Sequence, residues 1–156
     1  MKITVLSRLD LHTLMTKHES NAEELFWPFA YVVSMSRSDQ LPLFPEEHFG
    51  LLRMTFDDIE FKDYTKELRK AGRILFNREH AKEIIDFLRN VCVDRNRTLI
   101  CQCSAGVSRS GAVGRFANEL FDRDSLDYKG FYENNPHIFP NGYIYNLLME
   151  VSGLVR

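Results

Sequence analysis

The sequence predicts an α/β fold, a single domain in which helices flank a central, mostly parallel, twisted sheet. Short β-prone runs alternate along the chain with segments whose apolar residues recur at helical spacing. The 156 residues also contain no internal repeat, low-complexity tract or interdomain linker. Residues 1–156 are therefore expected to fold as one domain around one core.

Four runs have the composition of strands. They cover residues 3–7, 29–35, 51–56 and the apolar TLIC that begins at residue 98. The run FAYVVSM at residues 29–35 has the pattern of a buried strand. The stretch that follows it, SRSDQLPLFPEEHFG, contains two prolines and a glycine and is predicted to be a surface loop.

Four segments have helical periodicity. A weak one follows the first strand, with Leu11, Leu14 and Met15 on one side. The strongest begins after Asn77, a plausible N-cap, and carries Ala81, Ile84, Ile85, Leu88 and Val91. Two more carry Val113, Phe116, Ala117 and Leu120, and then Ile144, Leu147, Leu148 and Val151.

Composition excludes several classes of protein. A net charge of −2 gives no support for broad binding to nucleic acid or anionic membranes. Three cysteines are too few for a disulfide framework, which favours a reducing compartment. The N-terminus has the pattern of a first strand rather than a signal peptide, and no stretch reaches the length of a membrane span. We therefore expect a cytoplasmic protein, with its oligomeric state left open.

The stretch ICQCSAGVSRSG, residues 100–111, joins a predicted central strand to a predicted helix. In open α/β sheets, ligands bind at that edge. The small residues let the backbone curl, Gly106 above all, so that successive N–H groups can form a nest for an anion. The helix N-terminus adds donors and positive potential, and Arg109 can bind two oxygens of a tetrahedral oxyanion. The expected ligand is phosphate, bound by Ser104, Ala105, Gly106, Val107, Ser108 and Arg109.

The same field acts on Cys103. A helix N-terminus beside an arginine can lower a thiol pKa from about 8.5 to about 3.5–7.5, which makes it a thiolate at neutral pH. Attack of that sulfur on phosphorus would give a cysteinyl-phosphate, which water then hydrolyses. Ser110 is placed to donate a hydrogen bond to the sulfur. Either Asp57 or Asp58, after the third strand, could protonate the leaving oxygen.

The remaining candidate residues have plainer interpretations. Cys92 and Cys101 are expected to be buried, inert thiols, with a disulfide between Cys101 and Cys103 as the less favoured alternative. His80 is expected on the surface of a helix. The triplet Ser-Arg-Ser at residues 36–38 repeats that of 108–110 without a cysteine, and is interpreted as a polar loop. The histidines, at positions 12, 18, 48, 80 and 137, have no ligand spacing, so neither a metal nor a cofactor is expected.

The residues Cys-Ser-Ala-Gly-Val-Ser-Arg-Ser at 103–110 resemble the CX5R signature loop of cysteine-dependent protein tyrosine phosphatases, most closely the compact dual-specificity branch. The order of elements and the segment PHIFPNGYIYNLLME near the C-terminus also resemble that family. The resemblance implies that Cys103 is the nucleophile, Arg109 the phosphate clamp and Ser110 the hydroxyl that assists the second step. Counting inward residues along the third strand favours Asp58 over Asp57 as the general acid.

One residue departs from the family. Gln102 stands where the family usually has a histidine that supports the loop and keeps the nucleophile pKa low. The loop has no lysine of the kind found in lipid-phosphate relatives, which implies a phosphorylated protein or peptide as substrate. Two alternatives stay open: a phosphate-binding pseudophosphatase with weak or no catalysis, motivated by Gln102, and, ranked below it, a rhodanese-like sulfurtransferase.

Overall fold

A computed structural model describes residues 1–17, 26–125 and 127–154. Within them, one sheet contains the strands β1 (Ile3–Ser7), β2 (Ala30–Ser36), β3 (Leu51–Thr55) and β4 (Thr98–Cys103). Their order is β1-β4-β2-β3, and every adjacent pair is parallel. The predicted α/β fold with a parallel sheet is confirmed.

The helices are α1 (Arg8–Thr16), α2 (Lys66–Lys70), α3 (Arg78–Asn90), α4 (Arg109–Asp122), α5 (Tyr128–Asn134) and α6 (Gly142–Ser152). Short 3-10 turns occur at Trp27–Phe29 and Phe61–Asp63. The four helices with apolar periodicity are found where they were predicted. The short helices α2 and α5 were not predicted, because a few mostly polar or aromatic residues show no helical period.

The sheet is covered on both faces, as a parallel sheet requires. Strand β4 shows this in its alternation: Leu99 and Cys101 belong to the large core with α3, α4 and α6, whereas Ile100 belongs to a smaller core with Leu11 and Trp27. Every residue of β4 after the first is buried, which explains the continuous apolar run in the first part of the strand. It also makes β4 a rigid, central support for the loop that follows it.

Side-chain caps fix where helices α1, α2, α3 and α6 begin. Asn77 caps α3 by accepting from the N–H of His80, whose ring Nδ1 accepts in return from the N–H of Asn77. The His80 ring also contacts the rings of Phe56 and Phe76, so this histidine, expected on the helix surface, is half-buried. Burial lowers its pKa, because the charged imidazolium is the form that loses solvation.

His18, one of the five histidines without ligand spacing, lies outside the described residues. Among the helices they contain, none combines the length and the apolar composition that crossing a membrane requires.

Candidate active site

Parallel strands place the ends of β2, β3 and β4 at one edge of the sheet. Cys103 ends β4 and begins the 103–109 loop, which leads into α4. The acidic pair Asp57 and Asp58 follows β3, and residues 37–40 follow β2. Three segments far apart in sequence therefore meet where ligands bind in open α/β sheets.

The 103–109 loop turns its carbonyl groups towards the rest of the protein. The carbonyl of Ser104 accepts from Arg8 N–H at 3.2 Å, that of Val107 from Phe139 N–H at 3.1 Å, and that of Ser108 from Asn141 N–H at 3.1 Å. In a trans peptide the C=O and the next N–H point in opposite directions. The N–H groups that follow these carbonyls therefore face the inside of the loop, as an anion nest requires.

Gly106 is needed at the turn of this loop for two reasons. Its φ is +69°, a left-handed conformation that residues with a side chain rarely adopt. A Cβ at this position would lie 2.3 Å from the backbone nitrogen of Ser7 and 2.5 Å from the carbonyl carbon of Leu6. The loop consequently packs directly on the end of β1, and any larger residue would displace it.

Arg109 is a buried cation with no acidic partner in the described part of the chain. Its side chain is held by the Phe56 carbonyl, 2.8 Å from Nη1, and by Ser104 Oγ, 3.1 Å from Nη2. The residue is 3% exposed, yet no carboxylate in the described residues forms a salt bridge with it. A buried charge without a counter-ion is costly. The remaining guanidinium donors are therefore available to an anionic ligand at the loop.

The Cys103 thiol lies inside this arrangement, with its Sγ 3.0 Å from Ser110 Oγ. Burial raises the pKa of Cys103, but hydrogen bonds from the Ser110 side chain and N–H, the Arg109 charge and the Val107 N–H outweigh it. The net effect is a pKa below the ordinary thiol value. The thiolate, which is the nucleophilic form, is therefore stabilised relative to that of an ordinary thiol.

Removing the Ser110 hydroxyl tests this account of the thiol. We expect Ser110→Ala to raise the pKa of Cys103, because the thiolate loses its strongest hydrogen-bond donor. The pH midpoint of Cys103 alkylation by iodoacetate, followed by mass spectrometry, should move upwards. Ser108→Ala is the control, since Ser108 Oγ contacts Asp58 and not the sulfur. An unchanged midpoint in Ser110→Ala would contradict the role of the hydroxyl.

The two aspartates have different environments. Asp58 is exposed at the mouth of the 103–109 loop, where its Oδ1 accepts from Ser108 Oγ at 2.7 Å and from Asn141 Nδ2 at 2.9 Å. No hydrogen bond from the described residues reaches its Oδ2. The carboxyl group therefore lies beside the loop with one oxygen positioned and the other available to a ligand.

Asp57 instead serves the architecture of its own loop. It is 3% exposed and accepts hydrogen bonds from the N–H of Ile74 at 2.7 Å, the N–H of Ser38 at 3.2 Å and Arg73 Nη1 at 3.2 Å. Burial raises the pKa of Asp57, but these hydrogen bonds and the Arg73 charge hold it below its ordinary value. Such a carboxylate stays ionised and its oxygens are already engaged in hydrogen bonds, which makes it a poor proton donor.

Gln102, the departure from the family pattern, is buried beneath the loop. Ser34 Oγ donates to its Oε1 at 2.5 Å, and its Nε2 donates to the Cys103 carbonyl at 3.0 Å. Both ends of the amide are thus satisfied without a charge. The residue fixes the backbone at Cys103 from β4 and β2, which is a positioning role that a neutral side chain can fill.

The other two cysteines are free and buried, as expected. Burial raises the pKa of Cys92 to about 12, with the charge of Arg95 opposing it, and burial likewise raises that of Cys101. Neither is therefore a nucleophile at neutral pH. In residues 1–17, 26–125 and 127–154, no three His, Cys, Asp or Glu side chains are grouped so that they could hold a metal ion.

Three residues of the site were not predicted for it. Gln40 Oε1 accepts from Ser104 Oγ at 3.0 Å, which orients the hydroxyl that holds Arg109. Asn141 caps α6 through Oδ1 and binds Asp58 through Nδ2. Phe139 lines the cleft beside the loop. The 36–38 segment was interpreted as a plain polar loop, but it leads into Gln40 and so contributes to the site. The pair PN at 140–141 is the one sequence signal that could have pointed to Asn141.

Comparison with known proteins supports the fold. No protein-family model matches the sequence, and no curated protein matches it significantly. Among solved structures, the human tyrosine phosphatase-like serine/threonine/tyrosine-interacting protein matches with a TM-score of 0.50 at 14% identity, over 90% of this chain and 88% of that one. Human DUSP28 matches with a TM-score of 0.43 at 17% identity, over 97% of this chain and 91% of its own. The first match confirms the predicted fold, which this chain shares with a tyrosine phosphatase-like protein.

Proposed function

We propose that this chain, which has a phosphatase-like fold, is a metal-independent protein phosphatase that hydrolyses phosphate monoesters through a covalent intermediate on Cys103. The observation that carries the proposal is the pairing, in one loop, of a thiol with a lowered pKa and a buried arginine that has no acidic partner among the residues the structure describes. A phosphate dianion in the 103–109 loop would neutralise Arg109 and meet the inward N–H groups. Its phosphorus would then stand above the sulfur.

The first step transfers the phosphoryl group to the enzyme. Cys103 Sγ attacks phosphorus, so that a P–S bond forms while the P–O bond to the substrate side chain breaks. The leaving oxygen takes a proton from Asp58, which is bound to the loop through Ser108. Arg109 and the loop N–H groups hold the equatorial oxygens, whose charge they stabilise in the transition state.

The second step returns the enzyme to its starting state. Asp58, now a carboxylate, takes a proton from water as the water oxygen attacks phosphorus. The P–S bond breaks, its electron pair stays on the sulfur as a thiolate, and inorganic phosphate leaves. Ser110, 3.0 Å from Sγ, donates to the sulfur and stabilises this thiolate. The proposed substrates are phosphorylated proteins or peptides, because an exposed acid and an open cleft suit a side chain presented by a polypeptide.

An aryl-phosphate assay in excess chelator tests the proposal. We expect release of phosphate that is unaffected by EDTA and that, in a separate assay without chelator, is blocked by vanadate, which occupies phosphate sites as an oxyanion. Loss of activity with EDTA, regained on adding a divalent ion, would contradict a metal-independent mechanism.

Measurements of phosphopeptide binding and of sulfur transfer separate the alternatives. A pseudophosphatase would bind a phosphopeptide without turnover. It is motivated by Gln102, although the hydrogen bonds of Gln102 leave the Cys103 backbone supported. A rhodanese-like sulfurtransferase would transfer sulfur from thiosulfate to cyanide, and it has no need of Asp58 or of a serine after the arginine.

A further inference from the structure

The ring of Phe139 is 81% exposed, although the backbone that carries it is held against the 103–109 loop. Its N–H donates to the Val107 carbonyl at 3.1 Å, and the N–H of Asn141 donates to the Ser108 carbonyl at 3.1 Å. On the other side of Phe139, Ile138 packs on Gly111, where an added Cβ would lie 3.2 Å from the Ile138 Cβ. Phe139 is thus an exposed apolar group on a backbone of fixed position.

Phe139 shares a cleft with the proposed catalytic groups. Phe139 lines a cleft of about 560 Å³ together with Asp58, Ser108 and Arg109. Further apolar side chains line the same cleft, namely Ile59, Leu68 and Pro140. They come from two segments, residues 59–68 and 139–140. An apolar group bound next to the phosphate site would therefore meet apolar surface from both segments.

We propose that Phe139 is a specificity-determining residue that contacts the aryl ring of phosphotyrosine and favours aryl over alkyl phosphate esters. The inference rests on the proposed function and adds the group that the site selects. With the phosphorus held in the 103–109 loop, the phenyl ring of phosphotyrosine enters the cleft beside Phe139. Aromatic pairs gain more than burial alone, in stacked or edge-to-face geometry. The single methylene of phosphoserine offers no such surface.

Two peptides that differ only in carrying phosphotyrosine or phosphoserine test the proposal, with kcat/KM measured for each. We expect Phe139→Ala to lower kcat/KM for the phosphotyrosine peptide by about three- to tenfold and to leave the phosphoserine value unchanged. Phe139→Leu, which keeps apolar volume without a ring, should fall between. Phe49→Ala is the control: Phe49 is 75% exposed and precedes β3 at the opposite edge of the sheet, so both values should stay as in the wild type.

An equal loss for both peptides, or no loss for either, would overturn the role of Phe139. If the wild-type protein turns over neither peptide, the proposed catalysis fails, and binding decides about Phe139 separately. Calorimetry with phenyl phosphate and ethyl phosphate on the Cys103→Ser protein then provides the comparison. Weaker binding of phenyl phosphate alone in the Phe139→Ala background supports the aromatic contact. Equal affinities for both esters in both proteins, or binding of neither ester, overturns it.

Discussion

We expect Cys103→Ser to lower the kcat for aryl-phosphate hydrolysis by about 10⁴-fold or more, because a nucleophile that forms a covalent intermediate has no substitute in the site. The substitution keeps the size of the side chain and its contact with Ser110. It removes a group whose pKa the loop lowers and replaces it with a hydroxyl that the same field cannot ionise. The measurement is steady-state hydrolysis of an aryl phosphate.

The control for this variant must show that the loop survives. Cys103→Ser should keep the thermal unfolding midpoint and still bind vanadate or a phosphopeptide, since Arg109 and the loop N–H groups are unchanged. Cys92→Ala, which alters a buried thiol outside the 103–109 loop, should cost stability but not turnover of the folded fraction. Retention of hydrolysis in Cys103→Ser would show that Cys103 is not the nucleophile.

The second large effect is expected for Asp58→Ala. Loss of a general acid lowers rates by about 10²–10⁴-fold, and most for esters whose leaving oxygen is strongly basic. The expected result is a steep fall in kcat for a phenyl or alkyl phosphate, and a smaller one for a nitrophenyl phosphate. The reason lies in position, because Asp58 is exposed at the mouth of the loop and bound to it through Ser108. Rates across a series of aryl phosphates check it.

Asp57→Ala is the matched control, one residue away and with the same chemistry deleted. It leaves the N–H groups of Ser38 and Ile74 without their acceptor, so it should lower the free energy of unfolding by about 1–3 kcal/mol. Its dependence on the leaving group should stay that of the wild type. A steeper dependence in Asp57→Ala than in Asp58→Ala would reverse the assignment of the acid.

The stability of the fold should also depend on pH through Asp57. The folded-state pKa lies below the unfolded one, so the carboxylate stabilises the fold above the unfolded pKa. That contribution is lost as the pH falls towards the folded value. This effect belongs to the segment that Asp57 holds in place and is separate from the proposed catalysis.

The elements that sequence predicted were those with strong periodicity and clear ends. Helix α3 combined five apolar positions with an asparagine cap, and FAYVVSM corresponded to buried β2 within one residue at each end. Helix α2 has a threonine cap, Thr65, but no apolar periodicity, and α5 has neither signal. The position of α5 depends on tertiary contacts, since Phe131 packs near Val5 and Gly114, and such contacts leave no local pattern in sequence.

The residues of the candidate site also divide into those that the sequence predicted and those that it did not. The 103–109 loop could be proposed because its chemistry is contiguous: thiol, small residues, arginine and serine follow one another. Gln40 and Phe139 could not, since each reaches the loop from a segment about 30 to 60 residues away and their roles exist only as contacts. Asp58 was an intermediate case, where strand parity favoured the residue and the contact with Ser108 supports it.

Trapping the phosphoenzyme tests the central claim most directly. Ser110→Ala protein should be mixed with ³²P-labelled phosphotyrosine peptide, quenched, digested and mapped by mass spectrometry, because loss of the hydroxyl slows departure of the thiolate from the intermediate while Asp58 still protonates the leaving oxygen of the substrate. The mechanism predicts one phosphoryl group on Cys103 and none on Cys92 or Cys101. Label on another residue, or turnover with no labelled protein at any quench time, would contradict covalent catalysis by Cys103.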